Sequence, residues 1–535
     1  MNRLFAIAVA VVFVAAPAVR ADDLAAGNWK VTILSFNGAN AVSRLLKVET
    51  TDGKTTATLV SDPAFKQAAL KSFTVKGDRV RAVFAAGLGE QVFEGRIAEG
   101  GKKVMGTYGT DEAPSPAWMT PTEVKELDKA SAVEPAGEAG AGVTALFKLR
   151  TAKVASTPEA DLAEWAETAS KDAVQYGPAW VFKANLDIAT ALLKHKGQGS
   201  LALRHAQLTE KALEPTAPAA RQIKVLETVA QAAQAAGKAE IVKGAMAKVA
   251  KFDAELDKEY IAQGLPFKPT TFEGRKKDSK RVVVLELFTG AQCPPCVAAD
   301  LAFDGLLKTY KPSELAVIQY HEHIPGPDPL TNTESEARWK HYIGAFSTVG
   351  TKLGGVPTAI VNGNKERIGG GPIAFAGKTY DAYRNMIDPL LDTPAACEIK
   401  ATVKRNGEKI DIQADVAGLE KPGADVKLRM VLVEEVIHYG GGNKIRMHHH
   451  VVRAMPGGVD GKAMMAKEGQ LTATVNLNDL RGTFTKYLDD FVTLRGPFPR
   501  AIRPMEMRNL RVIAFVQDDE TREILNAVQV DVAEK

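Results

Sequence analysis

The sequence predicts a multidomain α+β protein in four parts: an N-terminal β-barrel or sandwich, a helical domain, an α/β domain and a C-terminal β-sandwich. Three observations predict it. Apolar and polar residues alternate over short runs from residue 22 to about 125 and again from 398 onward, the period-two pattern of half-buried strands. Small and apolar residues recur at helical spacing between 144 and about 263. Between these stretches, two unbroken apolar runs rich in β-branched residues, "RVVVLELFTG" and "ELAVIQYHEH", flank a helical segment, as buried parallel strands joined by a crossover do.

The chain opens "MNRLFAIAVAVVFVAAPAVRADD". A positive residue, Arg3, precedes an apolar stretch from Leu4 to Ala16. Val19 and Ala21 meet the small-residue cleavage rule, with Asp22 as the new N-terminus. Residues 1–21 are therefore expected to be a secretory signal peptide, and the protein to be periplasmic or secreted. The apolar stretch is shorter than a bilayer requires, and no later run is long and uncharged enough to span one. A length of 535 residues leads to about three or four domains. The formal charge of +4 falls to +2 with loss of Arg3 and Arg20, which argues against a nucleic-acid partner. Three cysteines in an exported chain of this size are too few for a disulfide scaffold.

Residues 22–128 carry seven expected strands, at 29–36, 41–50, 55–61, 70–76, 79–85, 91–98 and 103–108, punctuated by "TDGK", "KGDR" and "EGGKK". Tight hairpins of this kind suit a small, lipocalin-like barrel, with no chemical motif on it. An Ala/Gly/Pro-rich linker follows at 129–143. In the helical domain, 144–265, "STPEADLAEW" places Thr157 as a cap with Pro158 opening the helix. Stacked helical hairpins acting as a spacer or docking domain fit that stretch. The α/β domain spans 275–395. In it "GGVPTAIVNGNKERIGGG" reads as strand, turn and strand, and "AFAGKTYDAYRNMIDPLLDT" as a closing helix. Seven strand candidates over 398–535 suggest an Ig-like β-sandwich.

The chemistry concentrates in "ELFTGAQCPPCVAAD". A C-x-x-C beside a β-α-β pattern is the setting of a redox pair. The strand delivers Cys293 to the start of a helix, where unpaired N–H groups and the dipole favour a thiolate, the attacking species in disulfide exchange. Cys293 is expected to be the exposed nucleophile and Cys296, one turn inward, the resolving cysteine.

"CPPC" after an apolar strand, followed by "GGVPTAIVNG", resembles the thioredoxin superfamily, and more narrowly the extracytoplasmic thiol-disulfide oxidoreductases of bacteria. The layout, with "HHHVVRAMPGG" downstream, is also similar to multidomain exported proteins of the planctomycete type. The resemblance implies a thioredoxin-like domain over 275–395 and a cis-proline, Pro357, facing the cysteines. It also implies that the backbone of Val356 pairs with a bound client, and that no cofactor is needed. Partners would be client proteins with thiols or disulfides and a further redox protein. The sequence departs from the family in carrying Gln292 where an aromatic residue usually precedes the first cysteine. Glu286 is the candidate buried acid on the first strand, with a solvent-facing carboxylate as the alternative.

Pro294 and Pro295 lack N–H groups that could point at the Cys293 sulfur. Thiolate stabilisation is then modest, and reductase or isomerase work is expected rather than strong oxidation. His321 and His323 alternate on the second strand, which places both on one face. There they line the substrate groove or tune the thiolate. Alternatively, they join the cysteines to hold copper or zinc in a metallochaperone, a set of soft thiolates and imidazoles whose spacing matches no standard zinc pattern. A further alternative is a non-catalytic binding protein using the same fold. "MHHHVV" at 447–452 is expected to pack between domains rather than to bind metal, and Cys397 to be a free buried thiol.

Overall fold

A computed structural model of the chain describes residues 24–34, 40–63, 67–86, 89–127, 133–134 and 140–534. The expected signal peptide and most of the expected linker lie outside these residues. The chain divides into two compact units between Val249 and Ala250.

In the first unit, β1 (Gly27–Leu34), β2 (Asn40–Thr51), β3 (Lys54–Ser61), β4 (Ala69–Lys76), β5 (Arg79–Ala86), β6 (Gly89–Ala98), β7 (Lys103–Thr110) and β8 (Ala113–Pro121) form one sheet. Its order is β3-β2-β1-β8-β7-β6-β5-β4, and the short β9 (Val133–Glu134) pairs with β2. Trp29, Val48, Val80, Phe93, Val104 and Met119 share one core, with Leu59 of β3 and Phe73 of β4 packed against it. Both ends of the sheet reach the same interior, so the sheet wraps into a near-barrel. β8 was not expected because Pro114, Pro116 and Pro121 break the strand pattern. Its ladder with β1 covers only Ala117–Pro121. Pro114 and Pro116 therefore sit where one side of the strand is unpaired, the position a sheet tolerates for proline.

Six helices follow: α1 (Ala141–Thr151), α2 (Glu159–Ala173), α3 (Pro178–Leu192), α4 (Gly199–Ala212), α5 (Ala219–Ala235) and α6 (Ala239–Gln263). They bury Leu146, Leu162, Trp180, Ile188, Ala206 and Val229 together. α2 starts one residue later than expected, with Pro158 at the cap position and no side-chain cap from Thr157.

The second unit is built on a nine-stranded sheet, eight strands along one path and a ninth paired off it. β10 (Val283–Thr289), α7 (Val297–Thr309) and β11 (Leu315–His321) make a parallel β-α-β unit, paired from Val283↔Leu315 to Thr289↔His321. α8 (Thr333–Ser347) comes next, then β12 (Thr358–Val361), antiparallel to β10, β13 (Lys365–Ile368) and α9 (Ala376–Leu391). The sheet buries side chains on both faces. Leu285, Leu287 and Val317 pack under α7 and α9. Phe288 and Tyr320 pack with Trp339 and Tyr342 of α8. α8 fills the stretch between "ELAVIQYHEH" and "GGVPTAIVNG", where no element was expected. Its start is marked by Asn332, whose side chain accepts from Ser335 N at 2.8 Å, an N-cap.

Beyond residue 398 come β14 (Glu398–Asn406), β15 (Lys409–Ala417), β16 (Gly423–His438), β17 (Met447–Ala454), β18 (Lys462–Met464), β19 (Gly469–Asn476), α10 (Leu477–Arg495), β20 (Leu510–Asp518) and β21 (Ile524–Asp531). β14, β15 and β19 form a separate three-stranded sheet, while β16, β17, β20 and β21 extend the sheet begun at β10, which runs in the order β13-β12-β10-β11-β17-β16-β20-β21 with β18 paired to β16. The two layers face each other across Ile410, Ile412, Leu428, Leu432 and Val512. One layer of the C-terminal β region is thus continuous with the α/β sheet rather than a sheet of its own. α10, in a region read as mostly β, starts at an Asn476 cap. Among the described residues no helix is long and apolar enough to cross a membrane.

Candidate functional site

β10 ends at Thr289 and hands the chain to Gly290, where the cysteine loop begins. Cys293 and Cys296 are joined by a disulfide with S–S 2.05 Å. Pro294–Cys296 forms a tight 3-10 turn that runs into α7. The N–H groups at this helix start are already engaged. Cys296 N donates to Cys293 O at 3.1 Å and Ala298 N to Gly371 O at 3.0 Å, and Val297 N donates to Pro294 O. Few donors remain to hold a thiolate. The Val356–Pro357 peptide is cis, and Val356 O lies 3.9 Å from Cys293 Sγ. A disulfide sulfur has no proton to give, so this is a contact rather than a hydrogen bond. Val356 is half-buried and Pro357 buried.

The expectation of an exposed nucleophile is corrected: Cys293 is 1% exposed and Cys296 0%. The turn between β16 and β17, "YGGGNK", sits on the residues just before Cys293. Asn443 N donates to Ala291 O at 3.0 Å, Asn443 Nδ2 to Gly290 O at 3.3 Å, and Gly442 N to Gln292 Oε1 at 3.0 Å. The Gln292 side chain anchors this turn. The turn is tied in place by Arg446, whose Nε donates to Asp257 at 2.5 Å and whose Nη2 donates to Asp253 at 2.7 Å. Ile445 packs with Ala298 and Leu301 of α7.

Glu286 is fully buried, so the solvent-facing alternative is corrected too. Residues alternate across a strand. Thr289 faces α7, and Glu286 faces α8. Arg338 Nε and Nη2 reach its two oxygens at 2.9 and 3.0 Å, and the Tyr342 hydroxyl donates to it as well. Burial alone would raise its carboxyl, but Arg338 and Tyr342 outweigh burial and hold it below the ordinary range.

The acid on the cysteine side is one the sequence reading missed, Asp300. It lies four residues after Cys296, which places the two on one helix face, and it is 2% exposed. Its Oδ1 accepts from Thr289 Oγ1 at 2.8 Å and Gln319 Nε2 at 3.1 Å. Its Oδ2 finds no partner. Burial pushes the carboxyl well above the ordinary range. Thr289 and Gln319 offset this in part, while Asp304 and Asp328 add to it. Folded Asp300 therefore holds its proton more tightly than in the unfolded chain. That favours the fold in acid and fades as pH rises from the ordinary carboxyl range toward the raised value. Asp300→Asn is expected to flatten the stability–pH curve and to raise Tm near neutral pH by about 2–4 °C. Thermal unfolding across pH tests this, and a lowered Tm with an unchanged slope would refute it.

His321 and His323 do not meet the cysteines; both serve the loop after β11. His321 Nδ1 lies 2.8 Å from Asp328 Oδ2, and His323 Nδ1 accepts from Asp328 N at 3.0 Å. Asp328 Oδ2 also accepts from Ala291 N at 2.6 Å, so this carboxylate holds the cysteine loop. Burial raises its carboxyl, but His321 and the N–H groups of Ala291 and Leu330 lower it more. His323 stacks on Phe491 at 3.8 Å, and burial takes its imidazole down to about 4. The histidines of "MHHHVV" scatter. His448 faces Tyr439 O, His449 pairs with Asp304, and His450 meets Val317 O. Among the described residues no three His, Cys, Asp or Glu side chains converge as a metal requires. Cys397 is free and buried, its thiol pushed up to about 12 by burial.

No family model matches the chain, and no curated protein matches it. Solved structures align with parts of the chain, two of them as follows. One is a protein of Agrobacterium tumefaciens, at 16% identity over 49% of this chain and 98% of that one, with TM-score 0.30. The other is HBP35 of Porphyromonas gingivalis, at 17% identity over 48% of this chain and 77% of that one, with TM-score 0.31. Likenesses this weak have no bearing on function.

Proposed function

We propose that the protein is an exported, thioredoxin-like thiol-disulfide oxidoreductase that exchanges disulfides with client proteins through Cys293 and Cys296. The observation that carries the reading is the Val356 backbone alongside the Cys293 sulfur. A client strand laid on Val356 would bring its own sulfur to Cys293. The β-α-β unit that starts α7 at the cysteines and the acid behind Cys296 support it further.

In the reducing direction the Cys293 thiolate attacks a client disulfide. The client S–S bond breaks, one client sulfur leaves as thiolate, and a mixed disulfide forms. Cys296 gives its proton to the Asp300 carboxylate and attacks Cys293. The Cys293–client bond breaks, and the second client sulfur leaves as thiolate and takes a proton from water. The client gains two electrons and the cysteine pair loses two. A neutral Asp300, the form burial favours, is what this step leaves beside the disulfide. A dithiol redox protein would reverse the sequence.

With the helix-start N–H groups occupied and two prolines in the turn, the reduced form gains little extra stability. The reduction potential is expected to fall below the roughly −120 mV of the most oxidising bacterial disulfide donors. Equilibration in glutathione buffers measures it, and a value at or above that figure would remove the preference for reductase or isomerase work. The function itself is tested by dithiothreitol-driven reduction of insulin. Cys293→Ser is expected to abolish the catalysed rate, whereas unchanged turnover would overturn the proposal.

A further inference from the structure

The end of the sheet away from the cysteines holds a pocket of about 230 Å³. β10 and β11 run in parallel, and the cysteine loop follows the end of β10. The pocket lies at the start of β11, against Leu315 and Val317, with Leu306 and Leu307 of α7 and the Tyr310 ring completing an apolar wall. His450, Arg511 and Gln529 form its polar corner. His450 reaches the corner because β17 breaks its own alternation. His449 already faces α7, where it meets Asp304 at 2.7 Å, so the next side chain of a regular strand would point the other way. His450 instead has φ +51°, a left-handed conformation uncommon outside glycine and kept where the surroundings fix it. The ladder with β16 pairs His449 and Val451 and skips His450. The turned residue is 4% exposed.

Backbone carbonyls, which can only accept, fix the hydrogen-bonding sense of the corner. His450 Nδ1 lies 2.9 Å from Val317 O, so Nδ1 carries the proton. Burial and Arg511 lower the imidazole to about 4, and Nε2 keeps its lone pair. Gln529 Nε2 donates to Pro312 O at 2.8 Å and to Leu315 O at 2.9 Å, which leaves its Oε1 as an acceptor. Arg511 gives Nε to Asp531 at 2.6 Å and Nη2 to Glu435 at 2.5 Å. Its Nη1 is held loosely, 3.3 Å from Gln529 Oε1 and 3.5 Å from His450 Nε2, beyond the usual hydrogen-bond range. The corner thus offers one donor and two acceptors, each underused. A hydroxyl donates and accepts at once and fits between them. Two carboxylates already surround the one guanidinium, so a further anion is repelled.

We propose that this pocket binds a small neutral molecule made of one six-membered ring carrying a hydroxyl. The ring lies against Leu306, Leu315 and Val317, and the hydroxyl accepts from Arg511 Nη1 and donates to His450 Nε2. An apolar cavity of about 150 Å³ holds a benzene ring, so the volume here takes the ring, its hydroxyl and little more. The inference is independent of disulfide exchange.

Calorimetric titration of the full chain with phenol tests this. Phenol should saturate one site with a Kd of about 1 mM or below. Toluene has the ring without the hydroxyl and should bind at least about tenfold more weakly, because the polar corner stays unpaired. Benzoate, an anion, should bind no better than toluene. N-acetyltyrosine amide, the same phenol on a peptide backbone, should bind more weakly than phenol itself. Leu307 is half-buried in the wall, and Leu307→Trp should fill the pocket and abolish phenol binding. His450→Asn keeps a residue that tolerates the left-handed backbone and should weaken phenol about tenfold, a readout that stands even if Leu307→Trp does not fold. No saturation by phenol up to about 10 mM would overturn the inference. So would toluene or benzoate binding as tightly as phenol, the amide binding more tightly, or an unchanged phenol affinity in folded Leu307→Trp or in His450→Asn.

Discussion

Replacing Gly441 with valine is expected to raise the reaction rate of the Cys293–Cys296 disulfide with a small dithiol by at least about tenfold. The reasoning starts from the cover over the cysteine loop. Opening it gives up three hydrogen bonds, at Asn443 N, Asn443 Nδ2 and Gly442 N. At about 0.5–1.5 kcal/mol each, the closed state is favoured by roughly 1.5–4.5 kcal/mol, or about 10- to 2,000-fold. A side chain at 441 would overlap the Ala291 carbonyl oxygen. That is backbone and cannot turn aside, so the cover or the loop has to move. The same change should cost about 1–3 kcal/mol of stability, as overpacking does. Rates of reduction by dithiothreitol, compared at equal folded fraction, check it. An unchanged rate would mean that the turn does not control access to Cys293.

Arg338→Leu is expected to destabilise the second unit by about 3–5 kcal/mol, the cost of leaving a buried carboxylate without its cation. Glu286 and Arg338 are both 0% exposed as side chains, and Arg338 also donates to Gln517 at 2.8 Å. The effect should depend on pH with a definite sign. In wild type the Glu286 carboxyl is lowered, so its contribution is present above the ordinary carboxyl range and is lost as pH falls through the lowered value. Without Arg338, burial is left to raise that carboxyl. The variant should then lose stability as pH rises from about 4, and its deficit should be smallest in acid and largest near neutrality. Urea unfolding at pH 4 and pH 7 measures both. A deficit below about 1 kcal/mol at pH 7, or one that grows in acid, would refute the account of this pair.

Much of the secondary structure was legible because its signals are local. The runs at Val283–Thr289 and Leu315–His321 read as buried strands, and they pair in parallel as such runs do. The alternation in β14, β15 and β19 was equally plain. What escaped depended on context. β8 carries three prolines whose tolerance depends on how far the β1 ladder extends. α8 and α10 were announced by Asn332 and Asn476, caps that went unused beside stronger neighbouring patterns. Asp300 was within reach: an acid four residues after Cys296, in the expected helix, is a signal available from spacing alone. Glu286 drew attention instead because strand position was weighed and helix position was not. The contact of the β16–β17 turn with the cysteine loop was not legible. Gly442 and Gln292 are 150 residues apart, and nothing in "YGGGNK" names its partner. Asp328 sat inside a stretch with no expected element and no local pattern to tie it to Ala291.

The account stands or falls on whether Cys293 forms a covalent bond with another protein's sulfur. Reduced Cys296→Ser protein, incubated with insulin, should accumulate a one-to-one adduct through Cys293 that dithiothreitol releases. The adduct should form faster when Gly441→Val is added and be absent when Cys293→Ser is added. Failure to form any adduct, even in the Gly441→Val background where the cover is displaced, would show that this cysteine pair does not exchange with proteins.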